Sequence, residues 1–255
     1  MKMIDLNSDI GESFGAWTMG NDEGVLDAVS SANVACGFHA GDPLVMLKTV
    51  DLCAKKERAV GAHLGYPDLV GFGRRNMTCS AEEVYADCLY QIAALGGMCK
   101  AKGMALQHVK PHGALYNQAA QDPVLAGAIA RAVHDYDPKL ILLGLANSCF
   151  ETAAKEVGIL FAAEAFADRG YRPDGSLVPR KQPGAIIHDV EQAAKRVVRM
   201  ALEGKVECAD GTVIDFQPHS ICFHGDTPEA VEMAQAAKKA LLAAGVAVKP
   251  LREMF

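Results

Sequence analysis

Asp9 and Glu12 place two carboxylates three residues apart just beyond an apolar run, and Lys110-Pro111-His112 sets a cation and an imidazole around a proline-fixed turn. Other groups of the same kind recur along the chain. Asn7 precedes the acidic pair; His39 and Asp42 follow the run at 32–36, with glycines on either side of His39; and His63, Tyr66 and Asp68 follow the run at 59–62. Lys110, His112 and Asn117 follow 106–109, Asp168 and Arg169 follow the run ending at Glu164, and His224, Gly225 and Asp226 follow Phe223. Carboxylates, imidazoles, a lysine and amides suit general acid–base hydrolysis or metal-assisted attack by water.

Each motif also has a plainer structural reading. Asp9 and Glu12 could cap a helix, and His39 could be a lone hydrogen-bonded histidine. Cys36 could be a thiol nucleophile beside His39, but its neighbours Val34 and Ala35 point to burial. His134, His188 and His219 lack chemical company and read as structural or surface residues. The chain has no GxSxG nucleophile elbow and no GxxxxGK[ST] phosphate loop. Gly71-Phe72-Gly73-Arg74-Arg75-Asn76 matches a dinucleotide fingerprint only in part and does not sit between a strand and a helix. No ATP or dinucleotide site of the chain's own is visible.

To work together, these residues must be carried to one place. Short aliphatic runs begin at Met3–Leu6 and continue at 32–36, 59–62, 106–109, 140–145, 159–164 and 220–223, as expected of strands buried on both faces. Helices lie between them. Asp42-Pro43 and Thr227-Pro228 combine an N-cap with a first-turn proline, and Ser80-Ala81-Glu82-Glu83 has capping-box spacing before a helix to about Lys102. Roughly seven strand–helix units favour a closed (β/α) barrel over an open doubly wound sheet. In either, the strand carboxyl ends share one face, so the scattered polar groups should converge there. Residues 66–77 and 170–184 read as long functional loops, and 207–216 as a hairpin excursion. The chain of 255 residues reads as one domain.

Composition excludes several classes. With 31 Asp+Glu against 25 Lys+Arg, the net charge of −6 argues against a nucleic-acid partner. No run approaches the ~18 apolar residues of a membrane span, and the first residues lack a signal-peptide core, so a cytoplasmic location is expected. The eight cysteines form no CxxC pair and mostly read as small buried hydrophobes.

The stretches DLNSDIGESFG (5–15), NVACGFHAGD (33–42), GAHLGYPD (61–68), VKPHGALYN (109–117), EAFADRGY (164–171) and FHGD (223–226) resemble, in order, the LamB/YcsF family. The resemblance implies a (β/α) barrel of the glycoside hydrolase/deacetylase type. It also implies ATP-coupled opening of the 5-oxoproline lactam to L-glutamate, with two partner subunits, B and C, of a 5-oxoprolinase. ATP would be consumed on or with those partners. On the matched positions it implies Asp9, Glu12, His39, His63, Lys110 and His112 as catalytic groups. Asn7, Asn33, Asp42, Tyr66, Asp68, Asn117, Glu164, Asp168, Arg169, His224 and Asp226 would bind substrate. In that scheme Asp9 or Glu12 is the base, His39, His63 or His112 protonates the ring nitrogen, Lys110 stabilises the anion and Arg169 grips the substrate carboxylate. Asp9, His39 and His63 could supply the Asp/His/His ligand set of related deacetylase barrels, but the resemblance assigns no metal to this chain. The alternatives are a stand-alone metal-dependent deacetylase and a non-catalytic binding subunit.

Overall fold

The seven apolar runs become the strands of one parallel barrel. A computed structural model of the chain describes residues 2–224 and 229–255. Its barrel strands are β1 (Lys2–Ile10), β2 (Ser31–Ala35), β3 (Ala59–Leu64), β4 (Leu106–Pro111), β5 (Ile141–Leu145) and β6 (Leu160–Phe166). The antiparallel pair β7 (Lys205–Glu207) and β8 (Val213–Asp215) forms the expected hairpin, and β9 (Ser220–His224) completes the ring. Each barrel strand pairs in parallel with the next, and β9 closes onto β1 with Asp5–Asp9 in register with Ser220–His224. That pairing excludes the open sheet. β10 (Val246–Val248) adds to the first residues of β1, and Leu251 just beyond it packs on Ile141, Leu143 and Ala162.

The helices follow their sequence signals. Asp42 accepts from the amides of Leu44 and Val45 to start α2 (Pro43–Lys55; the preceding helix, α1, is Asp22–Leu26). Ser80 and Glu83 form a reciprocal capping box on α3 (Ala81–Ala101). The chain continues through α4 (Gly113–Ala119), α5 (Pro123–Tyr136), α6 (Cys149–Val157), α7 (Val190–Glu203) and α8 (Ala230–Ala243). The Thr227-Pro228 signal lies outside the described residues, as do Gly225 and Asp226. Among the described residues no helix is long and apolar enough to cross a membrane.

The strands run further than their apolar runs. β1 continues past Leu6 to Ile10, β3 past Ala62 to Leu64, and β4 past Val109 to Pro111. Hence His63 and Lys110 lie within strands rather than after them. The reason is that the barrel interior is polar. Alternation along β1 turns Ile4, Leu6 and Ile10 outward to the helices and Asp5, Asn7 and Asp9 inward. Every inward group finds a partner. The Asp5 carboxylate accepts from Ser30 Oγ at 2.7 Å, Ser31 Oγ at 2.6 Å and Ser220 Oγ. The Asn33 amide donates to Asn7 Oδ1 at 2.7 Å and Asp9 Oδ1 at 2.8 Å. His108 Nε2 donates to Asn33 Oδ1 at 2.6 Å, leaving its Nδ1 to accept from Gln107 at 3.2 Å.

Gly61 is the space this network requires, since a Cβ there would lie 2.1 Å from His108 Nε2. Gly61→Ala should therefore destabilise the protein by about 1–3 kcal/mol. Gly97→Ala, on an exposed face of α3 with no atom within 4 Å of the new Cβ, should instead stabilise it by about 0.5–1 kcal/mol. Denaturant titration reads both, and equal effects would show that the His108 contact does not constrain β3.

Burial pushes the Asp5 carboxyl up to about 6, so the folded chain holds a proton that the unfolded chain releases near the ordinary carboxylate value of 3.8. The stability from this group is full below that value and is lost as pH rises towards 6. Burial pushes His108 down to about 3. Its contribution has the opposite sense: the unfolded chain takes up a proton below about 6.5 and the folded chain does not. Between about pH 4 and 6 the two slopes offset each other. Asp5→Asn should remove one of them, making stability fall faster on acidification by about 1.4 kcal/mol per pH unit. Parallel stability-against-pH curves for variant and wild type would refute a protonated Asp5.

Candidate active site

The polar column rises to a layer of charge. Lys110 Nζ lies 2.8 Å from Asp9 Oδ1, 2.8 Å from Glu164 Oε1 and 3.1 Å from Cys222 Sγ, with 2% of its side chain exposed. Burial alone would depress its pKa, but Asp9, Cys222 and Glu164 outweigh burial and hold it well above the ordinary lysine value. For Asp9, burial would raise the carboxyl; His63 and Lys110 outweigh that and hold it well below the usual range. Tyr116 donates to Glu164 Oε2 at 2.8 Å. Lys110 is thus a deep counter-ion for two carboxylates. Asn7 and Asn33 lie beneath it, bonded to Asp9 directly or through each other.

Above Asp9 three imidazoles gather round Glu12. His39 Nε2 lies 3.1 Å, His112 Nδ1 3.5 Å and His63 Nε2 3.9 Å from Glu12 Oε1. His63 Nε2 is also 3.3 Å from Asp9 Oδ2 and 3.0 Å from His112 Nδ1. His39 and His112 stack with ring centres 3.8 Å apart. Burial pushes His39 down to about 3, and burial together with His39 and His63 drives His112 well below the usual range. Neither Asp9 nor Glu12 caps a helix.

The segment 66–77 roofs this cluster. The Phe72 ring meets His39 and His112 edge-on, and the Phe72 carbonyl, from a backbone at φ +54°, accepts from His112 Nε2 at 2.9 Å. Gly73 follows at φ +61°, where a Cβ would come within 2.7 Å of His39 Cβ and 2.9 Å of His112 Cδ2. Only glycine lets the roof sit so close. Two surface cavities, of about 430 Å³ beside Phe38 and Asp68 and about 920 Å³ beside α7, are lined by none of the cluster residues.

A second pair stands at the end of β9. His224 Nδ1 lies 2.8 Å and 3.0 Å from the two Asp168 oxygens, and the ring stacks on Phe166. Because a carboxylate accepts, Nδ1 carries the proton and Nε2 is the ring's basic nitrogen. Burial opposes ionisation of Asp168, but His224 and Arg169 hold its carboxyl below the usual value. His224 pairs in register with Asp9, so the two residues are neighbours on adjacent strands.

Other expected site residues serve the loops. Asp42 caps α2 and accepts from Gly15 N at 2.8 Å, tying the segment after β1 to that helix. Asp68 accepts from Gly71 N and from the Arg75 guanidinium, shaping the roof. Asn117 is exposed and bonds Gly113 O within α4. Arg169 uses Nε on Ala185 O and Nη2 on Val178 O, fastening the 170–187 segment. It does not present the free fork expected for a substrate carboxylate. Tyr66 is buried, with no hydrogen-bond partner for its hydroxyl among the described residues.

Cys36 is buried against Val34 O, and burial raises its thiol far above the ordinary value, so it is no nucleophile. All eight cysteines are free. His134 and His188 are exposed, and His219 Nδ1 accepts from Ala163 N. The residues missed from sequence are Asp5, Phe72, His108, Tyr116 and Cys222. Three of these had a signal: Asp5, His108 and Cys222 each stand two residues before a recognised polar position on the same strand.

The donor atoms of Glu12, His39, His63 and His112 all lie within 4.8 Å of one another, a set suited to a metal ion. It differs from the Asp9/His39/His63 set in having Glu12 and His112 in place of Asp9, whose Oδ1 pairs with Lys110 and Asn33 while Oδ2 lies 3.3 Å from His63 Nε2. Known proteins share this chain's sequence and fold. A 5-oxoprolinase A subunit from Pseudomonas syringae pv. tomato is 50% identical over 250 residues, 98% of each chain. The 5-oxoprolinase A subunit of Oceanobacillus iheyensis is 52% identical over 98% of this chain and 97% of its own. The crystal structure of the lactam utilization protein from Thermus thermophilus superposes with a TM-score of 0.92 at 50% identity, covering 97% of this chain and 99% of that one. The family profile matches residues 4–255, and the chain belongs to the LamB/YcsF family.

Proposed function

We propose that the chain is the A subunit of an ATP-dependent 5-oxoprolinase, opening the lactam of 5-oxo-L-proline to L-glutamate together with subunits B and C. The observation that carries this reading is the near-full-length identity, 50% and 52%, to two relatives bearing that subunit name. A lactam carbonyl is a poor electrophile. Phosphoryl transfer from ATP to its oxygen, on or with the partners, would make the ring carbon open to attack. Water then adds to that carbon and gives up a proton, the ring C–N bond breaks as the nitrogen takes a proton, and a second water hydrolyses the resulting acyl phosphate to the free carboxylate and inorganic phosphate.

The Asp168–His224 pair is the group in this chain best built to move that proton. Asp168 fixes the tautomer and ring orientation, so Nε2 can take a proton from water and return it to the departing nitrogen. Asp9, kept ionised by His63 and Lys110, stabilises the imidazolium formed between those transfers. His39 and His112, held neutral, are poor acids for the step. Lys110 acts through Asp9 and Glu164, not on substrate. This moves the proton-transfer role from the histidines over Glu12 to His224.

The test is glutamate release from 5-oxoproline and ATP by the purified chain mixed with subunits B and C. Turnover should require all three. His224→Asn and Asp9→Asn should each lower it by about 10²–10⁴-fold. Because His224→Asn removes the charge partner of the buried Asp168, melting temperature is recorded on the same preparations and turnover is compared at a temperature where each variant is folded. Full turnover by the chain alone, or a His224→Asn complex with normal kcat, would overturn the scheme.

A further inference from the structure

We propose that Glu12, His63 and His112 form a binding site for one divalent first-row transition-metal ion. The position of the ring protons carries the case. His63 Nδ1 lies 3.0 Å from the Lys110 carbonyl and His112 Nε2 lies 2.9 Å from the Phe72 carbonyl. A main-chain carbonyl can only accept, so both of these nitrogens carry hydrogens. A neutral ring has one such hydrogen. In that neutral form, the one that can bind a metal, the opposite nitrogens, His63 Nε2 and His112 Nδ1, are lone pairs that face each other at 3.0 Å, with Asp9 Oδ2 3.3 Å from His63 Nε2. Glu12 Oε1, another acceptor, stands 3.5 Å from one and 3.9 Å from the other. With both rings neutral, these lone pairs and the Glu12 carboxylate converge on one buried space, and a cation bound among them would offset their mutual repulsion.

The spacing suits a metal. Donors bonded at about 2.1 Å and at right angles on an ion lie roughly 3.0 Å apart, the separation of the two nitrogens. Two imidazoles and a carboxylate on one face are the ligands of zinc, iron, manganese, cobalt or nickel sites, not of magnesium or calcium. The supporting contacts are those that metal-binding histidines use: each ligand ring donates its far N–H to a main-chain carbonyl, one on β4 and one in the roof. His39 is a positioning residue. Its Nε2 donates to Glu12 at 3.1 Å, while its Nδ1 has no partner among the described residues and lies where a Cβ on Gly65 would sit. Using Nε2 as a ligand instead would strand a buried N–H at Nδ1. A bound ion would activate water or polarise a substrate oxygen.

This site needs neither substrate nor partner subunits, so its test is separate from that of the lactam reading. The full chain, stripped with a chelator and dialysed, is titrated with Co²⁺ while the visible d–d bands are recorded. One Co²⁺ per chain is expected, with a rise in melting temperature and displacement by Zn²⁺. His63→Ala, His112→Ala and Glu12→Ala should each weaken binding about 100-fold or more, and His39→Ala about 10–100-fold. His134→Ala and His188→Ala, at exposed histidines, should bind as wild type does. Far-UV circular dichroism establishes that each variant is folded. Wild-type protein that takes up no stoichiometric Co²⁺ would overturn the proposal, without any variant being needed. It would show that the two rings share a proton instead. Unchanged binding by a folded His63→Ala/His112→Ala protein would overturn it equally.

Discussion

The buried ammonium of Lys110 is the charge around which the barrel interior is built. An ammonium removed from water is costly unless it is closely paired, and Asp9 and Glu164 approach it at 2.8 Å from β1 and β6. Those carboxylates need further donors, which the Asn33 amide and the Tyr116 hydroxyl supply. Asn33 in turn requires His108 at its carbonyl oxygen. His108 requires the missing Cβ of Gly61. One charge therefore fixes side chains on several strands, and through them the register in which the barrel closes. Losing a partner from such a pair would strand a charge, a change that typically costs about 3–5 kcal/mol.

The same network gives the catalytic face its electrostatics. Asp9 is shared: Oδ1 belongs to the column through Lys110 and Asn33, while Oδ2 lies 3.3 Å from His63 Nε2 in the layer above. A rigid lower half thereby sets the charge and position of the group that the upper half uses. The upper layer is completed from the other side by backbone. The carbonyl of Phe72 orients His112, and Gly73 brings the chain over His39. The roof holds that position because Asp68 gathers the Gly71 amide and the Arg75 side chain below it.

The architecture was readable from sequence, because strands buried on both faces advertise themselves as short aliphatic runs between well-capped helices. Convergence was readable for the same reason: parallel strands deliver their carboxyl ends to one face. What apolar runs could not reveal was the interior. Reading hydrophobic length ends β1 at Leu6, whereas alternation through Asp5, Asn7 and Asp9 carries it to Ile10. His108 sits inside an apolar run and so carries no signal of its own, although it shares a face with Lys110. Motif membership also did not separate two kinds of polar residue. Asp42, Asp68 and Asn117 lie in the same stretches as His39, His63 and His112, yet their partners are loop and helix amides, carbonyls and a surface arginine. Sequence position shows that such a residue lies near the site; only the direction of its side chain shows whether it faces in.

Exposure then orders the face from closed to open. His39 and His63 are 1% exposed and His112 4%, beneath the roof, while Asp9 and Glu12 reach 7% and 8%. The His224 side chain, at 11%, is the most open imidazole of the group. Asp9 is its register partner on the adjacent strand and lies between it and the covered cluster. His224 is thus the group nearest solvent, as the proton-transfer role proposed for it requires. That order suits a division of labour. Groups that exchange protons with substrate need access, and His224 has it, with Asp168 setting its tautomer. Groups that share lone pairs in a fixed geometry need exclusion of water and a rigid frame. Glu12, His63 and His112 have both, because the barrel holds them from below and the roof from above.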